Sequence, residues 1–109
     1  MRFNHIGYTV NSLESSVKNF ANLGYKAGKT FLDQRQNIEI VLLESKLSPI
    51  IELIKPLGEK NPLNRYLNSG ENTVPYHIAY EVPSIKQAID DLRQKGFVPC
   101  MRISPAVAF

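Results

Sequence analysis

From Phe3 to Val10 the chain alternates. Ile6, Tyr8 and Val10 fall on one side, and His5, Gly7 and Thr9 on the other. That is the period-two pattern of a strand with one apolar face. At Ser12 the period changes. Leu13, Val17, Phe20 and Leu23 recur at helical spacing, Asn11-Ser12 offers an N-cap, and Gly24 stands where a C-terminal cap belongs. Residues 25–34 predict a second strand, Ile38–Leu43 a third, and Pro49–Ile54 a fourth, ended by Pro56. The first unit therefore reads β-α-β-β-β, over about 3–55.

Residues 56–74 form a connector rich in Pro, Gly and Asn, with one or two helical turns over Pro62–Leu67. Then the pattern restarts. His5-Ile6-Gly7-Tyr8-Thr9-Val10 lies over His77-Ile78-Ala79-Tyr80-Glu81-Val82 at a shift of 72 residues. The register holds without a gap until Gly24-Tyr25 meets Gly96-Phe97. An internal repeat constrains architecture more than any local signal. In the second unit, about 75–109, residues 75–82 predict a strand. Ser84 caps a helix with Gln87 completing a capping box, and Ile85, Ala88, Ile89 and Leu92 form its buried stripe. Gly96 ends that helix, Phe97–Ile103 reads as a strand, and Ala106–Phe109 as the start of another. The fold expected is α+β: one domain of two βαβββ-type repeats forming a cup-shaped mixed sheet, the second repeat truncated. A sheet short of a strand exposes an unpaired edge, which invites a second subunit, so a homodimer is expected.

Composition narrows the function. At 109 residues the chain can bury one core. Its formal charge of +3 is spread without a basic run, which argues against a nucleic-acid stripe. No apolar run reaches membrane length and no signal peptide is evident, so a cytoplasmic location is expected. The single cysteine, Cys100, excludes an internal disulfide and reads as a small hydrophobe rather than a nucleophile.

The candidate chemistry sits on the polar faces of the strands. His5 and His77 are matched by the repeat, each on a face of small or polar residues suited to line a site. Glu52 interrupts the apolar run Pro49-Ile50-Ile51-Glu52-Leu53-Ile54. A carboxylate there is costly to bury unless paired or bound to a cation. Two histidines and a carboxylate from separate strands suit a divalent transition metal. Glu39 breaks Ile38-Glu39-Ile40-Val41 in the same way, as a general base or a solvent-facing residue. Glu81 shares the His77 face nearer the strand end. Lys55, Lys60 and Arg65 could meet an anionic tail or simply solvent.

These residues resemble a known family. The opening Phe3-Asn4-His5-Ile6-Gly7-Tyr8-Thr9-Val10, the stretch Ile51-Glu52-Leu53-Ile54-Lys55-Pro56-Leu57-Gly58 and Tyr76-His77-Ile78-Ala79-Tyr80-Glu81-Val82 are similar to the vicinal oxygen chelate superfamily, the glyoxalase and bleomycin-resistance group. The Pro56–Pro62 connector and the Ala79-Tyr80-Glu81-Val82 ending look most like its methylmalonyl-CoA epimerase branch. The resemblance implies a cup enclosing a divalent metal (Co, Mn, Zn or Ni), with His5, Glu52 and His77 at three of four ligand positions. The fourth, a glutamate on a last strand, has no counterpart in this sequence. Glu39 falls at or next to a family acid/base glutamate. The implied activity is metal-dependent epimerisation of a methylmalonyl-CoA-type substrate through a stabilised enolate. By the same resemblance, family epimerases often carry glutamine where Glu52 stands, whereas glyoxalase-type lyases acting on thiol adducts often have glutamate. Other members bind small drug molecules without metal, and an inactive truncated copy is the remaining alternative.

Overall fold

The computed structural model describes residues 1–67 and 72–100. Its elements are β1 (Arg2–Val10), α1 (Leu13–Ala21), β2 (Lys26–Asp33), β3 (Ile38–Glu44), β4 (Ile50–Pro56), a 3₁₀ turn (Pro62–Tyr66), β5 (Thr73–Glu81) and α2 (Ile85–Gln94). The strands form one five-stranded sheet in the order β2-β3-β4-β1-β5. β1 pairs parallel with β4, while the other neighbours are antiparallel. The α+β, mixed-sheet expectation holds.

The caps fall where the sequence puts them. The Ser12 hydroxyl accepts from Ser15 N–H at 3.2 Å, and the Ser84 hydroxyl accepts from Gln87 N–H at 3.2 Å. Both helices end the same way. Gly24 and Gly96 adopt φ of 90° and 94°, a left-handed conformation that glycine enters without a Cβ penalty. The following Tyr25 and Phe97 amides return to the carbonyls of Phe20 and Leu92. The capping box at α2 is only half made. The Gln87 side chain donates to Asp91 at 2.9 Å instead of turning back to Ser84.

Two apolar clusters lie on opposite faces of the sheet. On one, Val10, Val41, Leu43, Ile51 and Leu53 are buried beneath Leu13, Val17 and Phe20 of α1, with Tyr8 and Tyr25 against them. Each such side chain removed from water contributes about 1.5–3 kcal/mol, so this is where the sheet is secured. On the other face Ile38, Ile40 and Ile54 pack with Phe31, Leu42, Tyr76 and Leu63 of the 3₁₀ turn.

The second repeat differs from expectation. α2 buries none of its residues, and Ile85, read as part of a buried stripe, is 54% exposed. Ile78 and Tyr80 of β5 are exposed as well, although they alternate as the helix-facing side of their strand. Periodicity reports which face is apolar, but whether that face is covered depends on neighbours the pattern cannot specify. Residues 97–100 carry no strand, contrary to the expected Phe97–Ile103 element, and 101–109 lie outside the described residues. β4 runs on through Pro56, opposite Ile38. Cys100 is exposed rather than tucked into a core.

Candidate metal centre

The site is built across three neighbouring strands at one side of the sheet, β4, β1 and β5. Gly7 of β1 stands opposite Glu52 on β4 and opposite His77 on β5. The three share a level, and His5 lies two residues away on the same face of β1. The register explains why this chain gathers residues 5, 52 and 77, which are far apart in sequence.

Gly7 makes the gathering possible. A Cβ placed there would lie 2.3 Å from His77 Cε1 and 2.6 Å from its Nδ1 and Nε2. The His77 ring therefore occupies the space above Gly7, a space only glycine leaves free. The repeat partner of Gly7 is Ala79, opposite His5, so the two halves of the pseudo-symmetric centre are not equivalent.

The ligand atoms converge. His5 Nε2 lies 2.9 Å from His77 Nε2, and Glu52 Oε1 lies 3.6 Å from His5 Nε2 and 3.2 Å from His77 Nε2. All three donor atoms fall within 4.8 Å of one another. His5 is 6% and Glu52 7% exposed, and His77 is half-buried. Burial holds the His5 imidazole below its ordinary value of 6.5; the nearby Glu52 carboxylate pulls it back up and His77 opposes charging further. A neutral ring is the form that ligates metal. The short contact between the two Nε2 atoms requires that one of them carry a proton, which must leave before both can ligate a cation.

Register shifts flank the centre symmetrically. β1 carries Asn4 as an extra residue between Phe3 and His5, and β5 carries Tyr76 as an extra residue between Pro75 and His77. Each bulge directly precedes a site histidine, and bulges re-aim side chains next to sites. Tyr76 thereby joins the apolar cluster on the site face, its ring 5.0 Å from that of His77 and 5.3 Å from Tyr66. Burial, and next the Tyr66 phenol, push the Tyr76 hydroxyl upward from 10.0. Thr9, on the His5 side of β1, is fully buried, and its hydroxyl has no partner among the described residues.

Of the four residues singled out from sequence, three come together: His5, Glu52 and His77. Glu39 does not. It pairs with Leu32 and Lys55, whereas Leu42, three residues on, stands opposite Glu52. In a strand without a register shift, residues an odd number apart face opposite ways. Glu39 thus lies on the other face of the sheet from the cluster, and its reading as a base for this site is corrected. Glu81 is exposed and held below 4.5 by hydrogen bonds from Arg2 and Asn4. Arg65 stacks over the Tyr66 ring at 5.1 Å. Gly7, Asn4 and Tyr76 carry roles that the sequence alone marked only as small size or as parts of a motif.

A sheet built from repeated βα units, with a His-Glu-His cluster across three of its strands, defines a class. The profile of the Glyoxalase/Bleomycin resistance protein/Dioxygenase superfamily matches residues 4–108, and the chain belongs to that superfamily. It is 30% identical over 96 residues to an ethylmalonyl-CoA/methylmalonyl-CoA epimerase of Cereibacter sphaeroides, covering 87% of this chain and 71% of that protein. It is 27% identical over 95 residues to the mitochondrial methylmalonyl-CoA epimerase of Homo sapiens, covering 86% of this chain and 53% of that one. The chain thus spans about half the length of its human relative. The crystal structure of methylmalonyl-CoA epimerase from Mycobacterium tuberculosis shares the fold, with a TM-score of 0.76 at 23% identity, over 87% of this chain and 64% of that one. Among the described residues, no helix is long and apolar enough to cross a membrane.

Proposed function

We propose that this chain carries the metal centre of an epimerase acting on an acyl-CoA of the methylmalonyl type, with His5, Glu52 and His77 as ligands to a divalent cation (Co, Mn, Zn or Ni). The observation that carries the reading is the convergence of three ligand atoms within 4.8 Å on one face of the sheet. The donor set of two imidazoles and one carboxylate fits such a cation. So does the neutral form favoured at His5.

When bound, the cation supplies Lewis-acid stabilisation of charge building up on substrate oxygens as the proton on the neighbouring carbon leaves. The chain's own residues prepare that chemistry. Glu52 supplies a negative charge that offsets the cation within an otherwise apolar strand. Ile54, Ile40 and Tyr76 line the same face and give the centre an apolar flank. The raised Tyr76 hydroxyl keeps its proton at neutral pH and can donate a hydrogen bond. Among the described residues β5 is the edge of the sheet, and such an edge is where a second subunit can pair, which supports a homodimer. A cytoplasmic location belongs to the same reading.

Glu52 itself favours one second reading, a glyoxalase-type lyase acting on a thiol adduct, because the resemblance associates glutamate at this position with that chemistry. A paired assay separates the two. Incubation of the metal-loaded chain with methylmalonyl-CoA in deuterated water should place deuterium on the carbon next to the thioester. Turnover of a methylglyoxal–thiol adduct, with no deuterium in methylmalonyl-CoA, would replace the epimerase reading by the lyase.

A further inference from the structure

His5 is held from behind. Its Nδ1 lies 2.7 Å from Asn4 Oδ1, and the Asn4 amide nitrogen donates to Glu81 Oε1 at 2.8 Å. The other Glu81 oxygen, Oε2, is paired with the Arg2 guanidinium. These contacts fix a direction. An ionised carboxylate only accepts, so the Asn4 NH₂ must face Glu81 and its carbonyl oxygen must face His5. A carbonyl oxygen also only accepts, so the His5 proton must sit on Nδ1. The Nε2 lone pair is then left toward Glu52 and His77.

We propose that Asn4 is a positioning residue, anchored by Glu81 and Arg2, that sets the His5 tautomer and so presents Nε2 as the ligand atom. The tautomer follows from the hydrogen bonds alone; its consequence for metal affinity rests on the function proposed above. The bulge at Asn4 allows the contact, because it places Asn4 beside His5 on a strand whose neighbours would otherwise alternate. The second repeat lacks the device. The residue before His77 is Tyr76, and among the described residues His77 is held by Tyr76 and the space over Gly7 rather than by an acceptor at Nδ1. His5 therefore has a hydrogen-bond partner behind its ring at Nδ1, whereas among the described residues His77 has packing there instead. Partners of this kind behind a ligating imidazole raise metal affinity by about 10–100-fold.

The test is the protonation pattern of the ring in the metal-free full chain, read by ¹⁵N NMR at pH 7.5. The chain has only two histidines, so His77→Gln leaves one ring to assign. Wild-type His5 should be the Nδ1–H form. Asn4→Leu should mix the two tautomers or reverse them, and weaken Co²⁺ about 10–100-fold. Glu81→Ala, at an exposed position that does not threaten the fold, should shift the tautomer in the same direction. Glu81→Gln keeps an oxygen that can accept from Asn4 but adds an amide that can also donate, so it should restore only part of what Glu81→Ala loses. A wild-type His5 protonated on Nε2, or a tautomer identical in wild type, Asn4→Leu and Glu81→Ala, overturns the proposal. A tautomer that responds as expected in a chain that binds no Co²⁺ supports the positioning role and contradicts the metal reading instead.

Discussion

The two halves of the repeat begin alike and end up in different environments. α1 lays Leu13, Val17 and Phe20 over a cluster whose members Leu43, Leu53 and Val10 are fully buried. α2 has the matching stripe of Ile85, Ile89 and Leu92, the same serine cap and the same glycine stop, yet buries nothing. Local sequence dictates each helix equally well. What differs is the sheet beneath it, since β1 has neighbours on both sides while β5 is an edge among the described residues. The candidate metal centre spans this boundary, taking His5 from β1, Glu52 from β4 and His77 from β5.

The largest effect should come from breaking the asymmetry at Gly7. Gly7→Ala drives a methyl into the His77 ring, so Co²⁺ affinity should fall by on the order of 100-fold or more, the upper end for a disturbed ligand shell. The overpacking should also cost about 1–3 kcal/mol in a denaturant melt. Its repeat counterpart sharpens the contrast. Ala79→Gly should cost only about 0.5–1 kcal/mol from backbone entropy and leave the metal titration close to wild type. Equal losses in both variants would mean that the centre is symmetric after all.

Next comes the helix pair. Phe20 packs on the core and meets Tyr8 and Tyr25 edge-on at 5.4 and 5.9 Å. Phe20→Ala should therefore cost about 3 kcal/mol. Leu92→Ala, at the matching place in α2, should stay within about 1 kcal/mol. Comparable costs from urea melts would show that α2 is packed as α1 is.

Thr9 and Glu81 are also a repeat pair, one buried with its hydroxyl unpartnered among the described residues and one exposed with two partners. Thr9→Val removes a hydroxyl that has already lost its water, so stability should hold or rise by roughly 1 kcal/mol. A loss above about 2 kcal/mol would reveal a partner for that oxygen.

The smallest effect concerns pH. Glu81 is held below 4.5 in the folded chain, so its contribution is present above that value and is lost as pH falls through the lowered one. The melting-point gap between wild type and Glu81→Gln should be widest near pH 7 and shrink as pH falls progressively below 4.5. A gap that does not move with pH would mean the carboxylate charge is not what Arg2 and Asn4 recognise.

Much of this was legible in the chain. Period-two and helical spacing located β1, α1, β3 and β4 to within a residue or two, and the repeat linked His5 to His77 before any contact was known. Glu52 was legible because a carboxylate in an apolar strand needs a reason. Glu39 had the same signature and failed, because a strand pattern does not reveal which of two buried faces holds a site. β3 is apolar on both faces, with Ile38 and Ile40 on one and Val41 and Leu43 on the other. Parity relative to Leu42 decides the matter, and parity needs the register. The roles of Asn4 and Tyr76 depend on bulges, which a sequence marks only weakly. The stripe of α2 is apolar, as its spacing predicts, but not buried, because coverage comes from neighbours rather than from the helix.

The central claim is that His5, Glu52 and His77 form one cation site. Calorimetric titration of the metal-free chain with Co²⁺, alongside His5→Ala, Glu52→Ala and His77→Ala, tests it most directly. The account predicts one equivalent bound per chain in the wild type and severe loss of binding in each variant. No stoichiometric binding by the wild type, or binding that survives all three substitutions, would contradict it.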